Sequence, residues 1–156
     1  MSGAGAPTIL PNGTGVTIAI IAASWHEVVM NGLIDGAERA CAETGATAML
    51  YRVPGTFELS LAAQKAAAAG FDAVVALGVV IRGDTPHFDY VCSAATDGLN
   101  RVSLDSGTPI GFGVLTCDDE AQALARAGLV GSKEDKGFEA TVAALALLET
   151  IRGIRL

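Results

Sequence analysis

No run of apolar residues in this 156-residue chain is long enough to cross a bilayer. The longest, such as AVVALGVVI at 73–81, suits a buried strand instead, so no membrane association is expected. Basic residues are few: ten Lys and Arg stand against seventeen Asp and Glu, for a formal charge of −7. An acidic surface disfavours nucleic acid and anionic lipid as partners. Cysteine is limited to Cys41, Cys92 and Cys117, with no CxxC pair. That pattern suits free, packed thiols in a reducing cytoplasm rather than a disulfide framework. The two histidines, His26 and His87, are far apart, and no His, Cys, Asp or Glu cluster has zinc-ligand spacing. Neither GxxxxGK[ST] nor GxGxxG occurs, so nucleoside triphosphates and dinucleotides are not expected ligands. The opening MSGAGAPTILPNGTG has no basic start and no apolar centre. It reads as a flexible N-terminal tail over 1–14, ordered against a neighbour, and not as a signal peptide.

What the chain does have is apolar content. Hydrophobic residues make up 51% of it, and the mean hydropathy is +0.45. One domain of this size, 15–156, hides that much apolar surface best by burying part of it between subunits. The pattern within the domain alternates strand with helix. VTIAIIAA (16–23), ATAMLYRV (46–53), DAVVALGVVI (72–81) and PIGFGVLT (109–116) predict strands. Helices are predicted over 26–45, 57–70, 86–107, 118–128 and 136–154, with LVGSKED as a loop before the last. Four apolar strands, each followed by a helix, predict a single-domain three-layer αβα fold with a four-stranded parallel sheet of flavodoxin-like type. Ligands of such sheets bind beyond the carboxyl ends of the strands.

The polar chemistry gathers at those ends. After the first strand comes Ser24-Trp25-His26, with the chain's only tryptophan. Trp25 is either a core aromatic or a stacking surface for a flat ligand. After the second comes PGTFE, where Pro54-Gly55 turns the chain, Thr56 can cap the next helix, and Glu58 either balances its dipole or accepts hydroxyl groups. After the third comes IRGDTPH. Gly83 permits close backbone approach, and the helix start after Thr85 offers unpaired N–H groups to an anion. Asp84 then has to point to solvent, leaving its N–H in the site. His87, just inside that helix, is placed where the dipole favours a neutral imidazole able to move protons.

Taken together, ASW, VPGTFE, ALGVVIRGDTPHFDYV, GFGVLTCDDEAQALARAG and KGFEAT resemble the 6,7-dimethyl-8-ribityllumazine synthase family, over about residues 15–152. The resemblance implies condensation of 5-amino-6-(D-ribitylamino)uracil with 3,4-dihydroxy-2-butanone 4-phosphate through an imine, with release of inorganic phosphate. It implies no metal and no organic cofactor. It assigns Trp25 to stacking on the pyrimidine, Thr56, Phe57 and Glu58 to the ribityl chain, and backbone groups of Val79, Val80 and Ile81 to the pyrimidine. Gly83, Asp84 and Thr85 match the phosphate loop, and His87 the proton-transfer residue. Phe112, Arg126 and Lys136 match positions that an adjacent subunit contributes, in a homopentamer with sites at its interfaces.

Two departures from the family pattern stand out. Ser24-Trp25-His26 replaces a common Arg-Phe-Asn, and the segment before Lys136 is longer than the compact Gly-rich form. That longer segment, with Lys133, Glu134 and Asp135 expected where pentamers would meet, predicts a free pentamer rather than a shell of twelve. A flavin or lumazine carrier without turnover, or a shell-forming scaffold, is the competing reading.

Overall fold

Ile18 to Ala23 are shielded from solvent on both sides, as a run of β-branched and small residues without alternation predicts. In the computed structural model, which describes residues 5 and 7–154, they form β1 (Thr17–Ala23), the second strand in a sheet of four. β2 (Thr47–Val53), β3 (Ala73–Ile81) and β4 (Ile110–Cys117) complete a wholly parallel sheet in the order β2-β1-β3-β4. α1 (Glu27–Thr44), α2 (Leu59–Ala68), α3 (His87–Ser106), α4 (Glu120–Leu124) and α5 (Lys136–Gly153) make the crossovers and the C-terminal cover.

The alternate side chains of the strands build two cores. Ile18, Ile20, Val75 and Leu77 pack with Met30, Leu33, Ala144 and Leu145 of α1 and α5. Ala19, Ile21, Val74 and Ala76 pack with Leu59, Ala63, Leu99 and Val102 of α2 and α3. This is the three-layer αβα arrangement of the flavodoxin-like class. The first crossover lies on one face and the second on the other, so the winding reverses between β1 and β3. In open parallel sheets, ligands bind beyond the carboxyl ends of the strands at such a reversal.

Glycine sets how closely α1 and α5 approach. A Cβ at Gly137 would lie 2.7 Å from the carbonyl carbon of Leu33, and closer still to its oxygen. Gly32 faces the carbonyl of Ala127 in the same way. α1 therefore carries the segment leading into α5 on a backbone-to-backbone seam.

Several boundaries differ from the sequence reading, each for a physical reason. The helix expected over 118–128 ends at Leu124. Arg126 N and Ala127 N bond three residues back instead of four, Gly128 N donates to Glu134 O at 3.0 Å, and Gly128 turns left-handed at φ 71°. The second helix is entered through a 3₁₀ turn, Thr56–Glu58, rather than directly at Phe57. Residues 11–14 are not free of the domain. Pro11 and Gly13 are buried, and Gly13 N donates to Thr44 O at 2.8 Å. The rest of the expected tail lies partly outside the described residues.

Candidate active site

The crevice residues come from three strand ends. β1 runs into Ser24, whose Oγ donates to the carbonyl of Val53 at 2.8 Å and ties the ends of β1 and β2 together. Trp25 follows, 69% exposed, which settles the choice between core and surface in favour of surface. His26 takes φ 59°, the left-handed region, and is the only described non-glycine residue with positive φ. Its carbonyl accepts from Met30 N at 2.9 Å, so the strained residue is also the entry to α1.

The β2 end brings Gly55 beneath Trp25. A Cβ there would lie 3.5 Å from Trp25 Cδ1 and 3.2 Å from Glu58 Oε2, so indole and carboxylate flank the same backbone. Phe57 is 64% exposed beside them. Thr56 does not cap the helix as expected. It is buried, and its hydroxyl lies 3.4 Å from the carbonyl of Val79, which bonds the turn to the end of β3. The expected N-cap bond gives way because Thr56 faces the sheet rather than the helix's open N–H groups.

β3 is buried up to Val79, while Val80 and Ile81 are partly open. Gly83, Asp84, Thr85 and His87 are all exposed, and a Cβ at Gly83 would touch nothing within 4 Å. His87 is the first residue of α3, with Pro86 just before it as N-cap. The unpaired N–H groups of a twenty-residue helix therefore open beside the loop.

Arg82, to which the sequence reading assigns no role, stands at the base of this loop. Its backbone N–H donates to Cys117 O at 2.9 Å. Its Nε donates to Asp118 Oδ1 at 3.0 Å and its Nη1 to Asp89 Oδ1 at 3.4 Å. The guanidinium carbon lies 4.2 Å from the ring centre of Phe88. The hydrogen bond from Arg82 holds the Asp118 carboxyl below the usual carboxylate range. The available signal was a lone cation ending a buried strand, with acids at 89 and 118.

Three expected residues lie on other elements than the ends of β1, β2 and β3. Phe112 lies within β4, level with Ala76 and at the opposite edge of the sheet from β2. Arg126 lies beyond α4 and donates from Nη1 to Gln122 O at 2.9 Å. Lys136 Nζ sits 3.1 Å from Glu134 and 2.6 Å from Glu139. Those two carboxylates raise the Lys136 pKa against the opposing effect of burial. Arg126 and Glu134 are 3.8 Å apart, and both line a cavity of about 380 Å³ with Asp119, Gln122 and Lys133. Its lining includes none of Trp25, Glu58 and His87, though Gln122 Oε1 accepts from Asp118 N at 2.9 Å.

Glu134 and Asp135 correct a further expectation, since they turn into the chain rather than out to a neighbour. Glu134 is 13% exposed. Asp135 caps α5 by accepting from Phe138 N at 3.0 Å, and it pairs with Arg39. Satisfying the open end of α5 outweighs leaving that carboxylate in water.

Residues 15–152 match the family model described as 6,7-dimethyl-8-ribityllumazine synthase. The chain is 60% identical over 157 residues to a protein of that name from Leifsonia xyli, with 99% of both chains covered. It is 59% identical to one from Kineococcus radiotolerans, covering 99% of this chain and 96% of the other. Against one from Streptomyces avermitilis the identity is 58%, with 99% and 97% covered.

Proposed function

We propose the reaction on one premise: the chain belongs to the 6,7-dimethyl-8-ribityllumazine synthase family. It is a transferase of riboflavin biosynthesis. It condenses 5-amino-6-(D-ribitylamino)uracil with 3,4-dihydroxy-2-butanone 4-phosphate to 6,7-dimethyl-8-ribityllumazine, and inorganic phosphate leaves. The observation that carries this reading is the near full-length identity to proteins of that name. The crevice supports it. A flat pyrimidine needs a stacking face, and Trp25 is exposed beside Glu58 and Phe57. A phosphate ester needs N–H donors, and the open loop 83–85 leads into the start of α3.

In this reading His87 carries the proton removed and returned as the amine adds to the carbonyl and water leaves to form the imine. Gly83, Asp84 and Thr85 hold the phosphate before and after its loss. Val80 and Ile81 offer backbone groups to the pyrimidine. Val79 does so as well, although its carbonyl already receives the Thr56 hydroxyl. Glu58 and Phe57 take the ribityl chain, with Thr56 keeping their turn in place. Ring closure then follows at the same strand ends, as the ribitylamino nitrogen adds to the remaining carbonyl and a second water leaves, with no metal or organic cofactor.

The active unit is a homopentamer in which a neighbour supplies Phe112, Arg126 and Lys136. Support comes from their place on β4, after α4 and at the start of α5, and not at the ends of β1, β2 and β3. It also comes from the exposed Met49, Leu50 and Tyr51 on the edge strand β2, a flank that asks for cover. The length of the segment before Lys136, with Lys133 still exposed on it while Glu134 and Asp135 turn inward, favours a free pentamer over a closed shell. The enzyme works in the cytoplasm, a reading supported by three free thiols and, among the described residues, by the absence of any helix able to cross a membrane.

Mixing purified protein with the two substrates tests the reaction. Lumazine fluorescence with phosphate release is expected, and its absence refutes the assignment. Inactive His87→Ala and Arg126→Ala subunits, dissociated and reassembled together, should regain part of the activity. No recovery in assemblies shown to be mixed refutes the shared site. Sedimentation should give a mass near five chains, and one near sixty refutes the free pentamer.

A further inference from the structure

We infer that Arg82 is a positioning residue for the phosphoketone half of the site. It pins the turn that carries His87, and it offsets one of the two carboxylate charges that would otherwise repel the substrate's phosphate. The inference deepens the proposed reaction and rests on it.

The loop from Gly83 to Pro86 has little to hold it. Its residues are exposed, and the space around Gly83 is empty. Yet the residue after the loop must keep one imidazole in place. Among the described residues, the polar ties from this turn to the sheet run through Arg82. Its N–H continues the β3–β4 ladder by one bond, to Cys117 O. Its side chain then spans from Asp118, at the end of β4, to Asp89, in the first turn of α3. The stack on Phe88 fixes the residue next to His87. His87 is thus followed immediately by two residues, Phe88 and Asp89, that one guanidinium grips. A planar fork can do this, whereas a single ammonium cannot hold both carboxylates and the ring in one geometry.

The charge balance carries the second part. Asp89 and Asp118 lie beside a loop expected to bind a phosphate ester, in a chain of net charge −7. Among these three side chains the balance is one negative charge with Arg82 and two without it, on top of Asp84 in the loop itself. Both acids lie in exposed positions, with side chains 61% and 66% open, and their carboxylates repel a dianion.

The two parts separate experimentally. In Arg82→Gln, kcat should fall roughly 10-fold, because a small misplacement of a reacting group costs that much or more. The KM for the phosphoketone should rise several-fold, and the KM for the pyrimidine should stay the same. Arg82→Lys should recover the phosphoketone KM, since the charge is back. It should not recover kcat, since the fork is not. An independent readout needs no turnover. The chain has only two histidines, so a ¹³C-labelled sample gives two assignable Cε1–H signals. The His87 signal should shift or broaden in both Arg82 variants while that of His26 stays fixed. Asp89→Asn breaks one arm alone and should perturb the His87 signal in the same sense, which keeps the test open if Arg82→Gln fails to fold. Wild-type kinetics in Arg82→Gln, full kcat in Arg82→Lys, or an unmoved His87 signal would each overturn the inference. A wild-type protein that makes no lumazine refutes the reaction instead, and the His87 signal still decides whether Arg82 positions it.

Discussion

Gly137→Ala should destabilise the protein although alanine is the better helix former. Gly137 is the second residue of α5. An added Cβ there would sit 2.7 Å from the Leu33 carbonyl carbon and 2.9 Å from its Cα. Ordinary carbon contacts are about 3.5–4.0 Å, so the start of α5 must move away from α1 by about 1 Å. The obstacle is backbone, and no rotamer change relieves it. Overpacking of this kind costs about 1–3 kcal/mol, and the upper end applies here. The helix-propensity gain is at most about 1 kcal/mol. The net loss is about 2 kcal/mol, or a fall in Tm of about 4–8 °C for a domain of this size. Gly153→Ala, at the other end of the same helix, is the control, because its Cβ would meet nothing within 4 Å. It should be neutral or slightly stabilising. Both variants are compared with wild type by thermal unfolding at one protein concentration, since assembly makes Tm depend on concentration. The same displacement moves Lys136 and the Asp135 cap, so turnover should fall at temperatures well below the melt. A Gly137→Ala protein as stable as wild type would refute the argument, and so would equal damage from Gly153→Ala.

Three further outcomes are expected. His87→Ala should lower kcat by roughly 10²-fold with little change in phosphoketone affinity, measured by lumazine fluorescence; an unchanged kcat removes His87 from the mechanism. His26→Gly should match or exceed wild-type stability, while His26→Val should lose about 1–3 kcal/mol, because φ 59° opposes a β-branched residue; equal melting of the two would show the turn to be unstrained. Asp72 accepts from Thr17 N at 2.8 Å and from Arg152 at 2.7 Å. The Thr17 bond, with smaller help from Arg152, holds its carboxyl below the ordinary 3.8. Its contribution is therefore present above that value and lost as pH falls through the depressed pKa. Asp72→Asn should cost about 1 kcal/mol at neutral pH, and urea titrations of variant and wild type should converge in strong acid; a constant gap would place the effect elsewhere.

The order and type of the main elements were legible because they rest on local periodicity. The buried runs 16–23 and 72–81 have no polar alternation, and that alone marks strands covered on both faces. Gly45 at φ 81° ends α1 where the sequence puts its stop. The crevice residues were legible for a related reason. Trp25, Glu58 and His87 follow apolar strands directly, and a parallel sheet collects such ends on one side.

What local pattern could not carry was the outcome of competition between distant groups. The helix at 118–128 looked complete by periodicity, but Arg126 N and Ala127 N bond three residues back instead of four, and Gly128 N leaves the helix for the distant Glu134 O. Thr56 looked like a cap, and Glu134 and Asp135 looked like surface acids. Each found a better partner in the folded chain: Val79 O, the Arg126–Lys136 pair, and the open end of α5. Arg82 looked like an ordinary charge until the sheet set Asp118, 36 residues away, within 3.0 Å of it. Propensity and pattern act over a few residues and are written in the chain itself. Partner choice among polar groups depends on which of them the packed sheet brings within hydrogen-bond reach, and only the tertiary structure decides that.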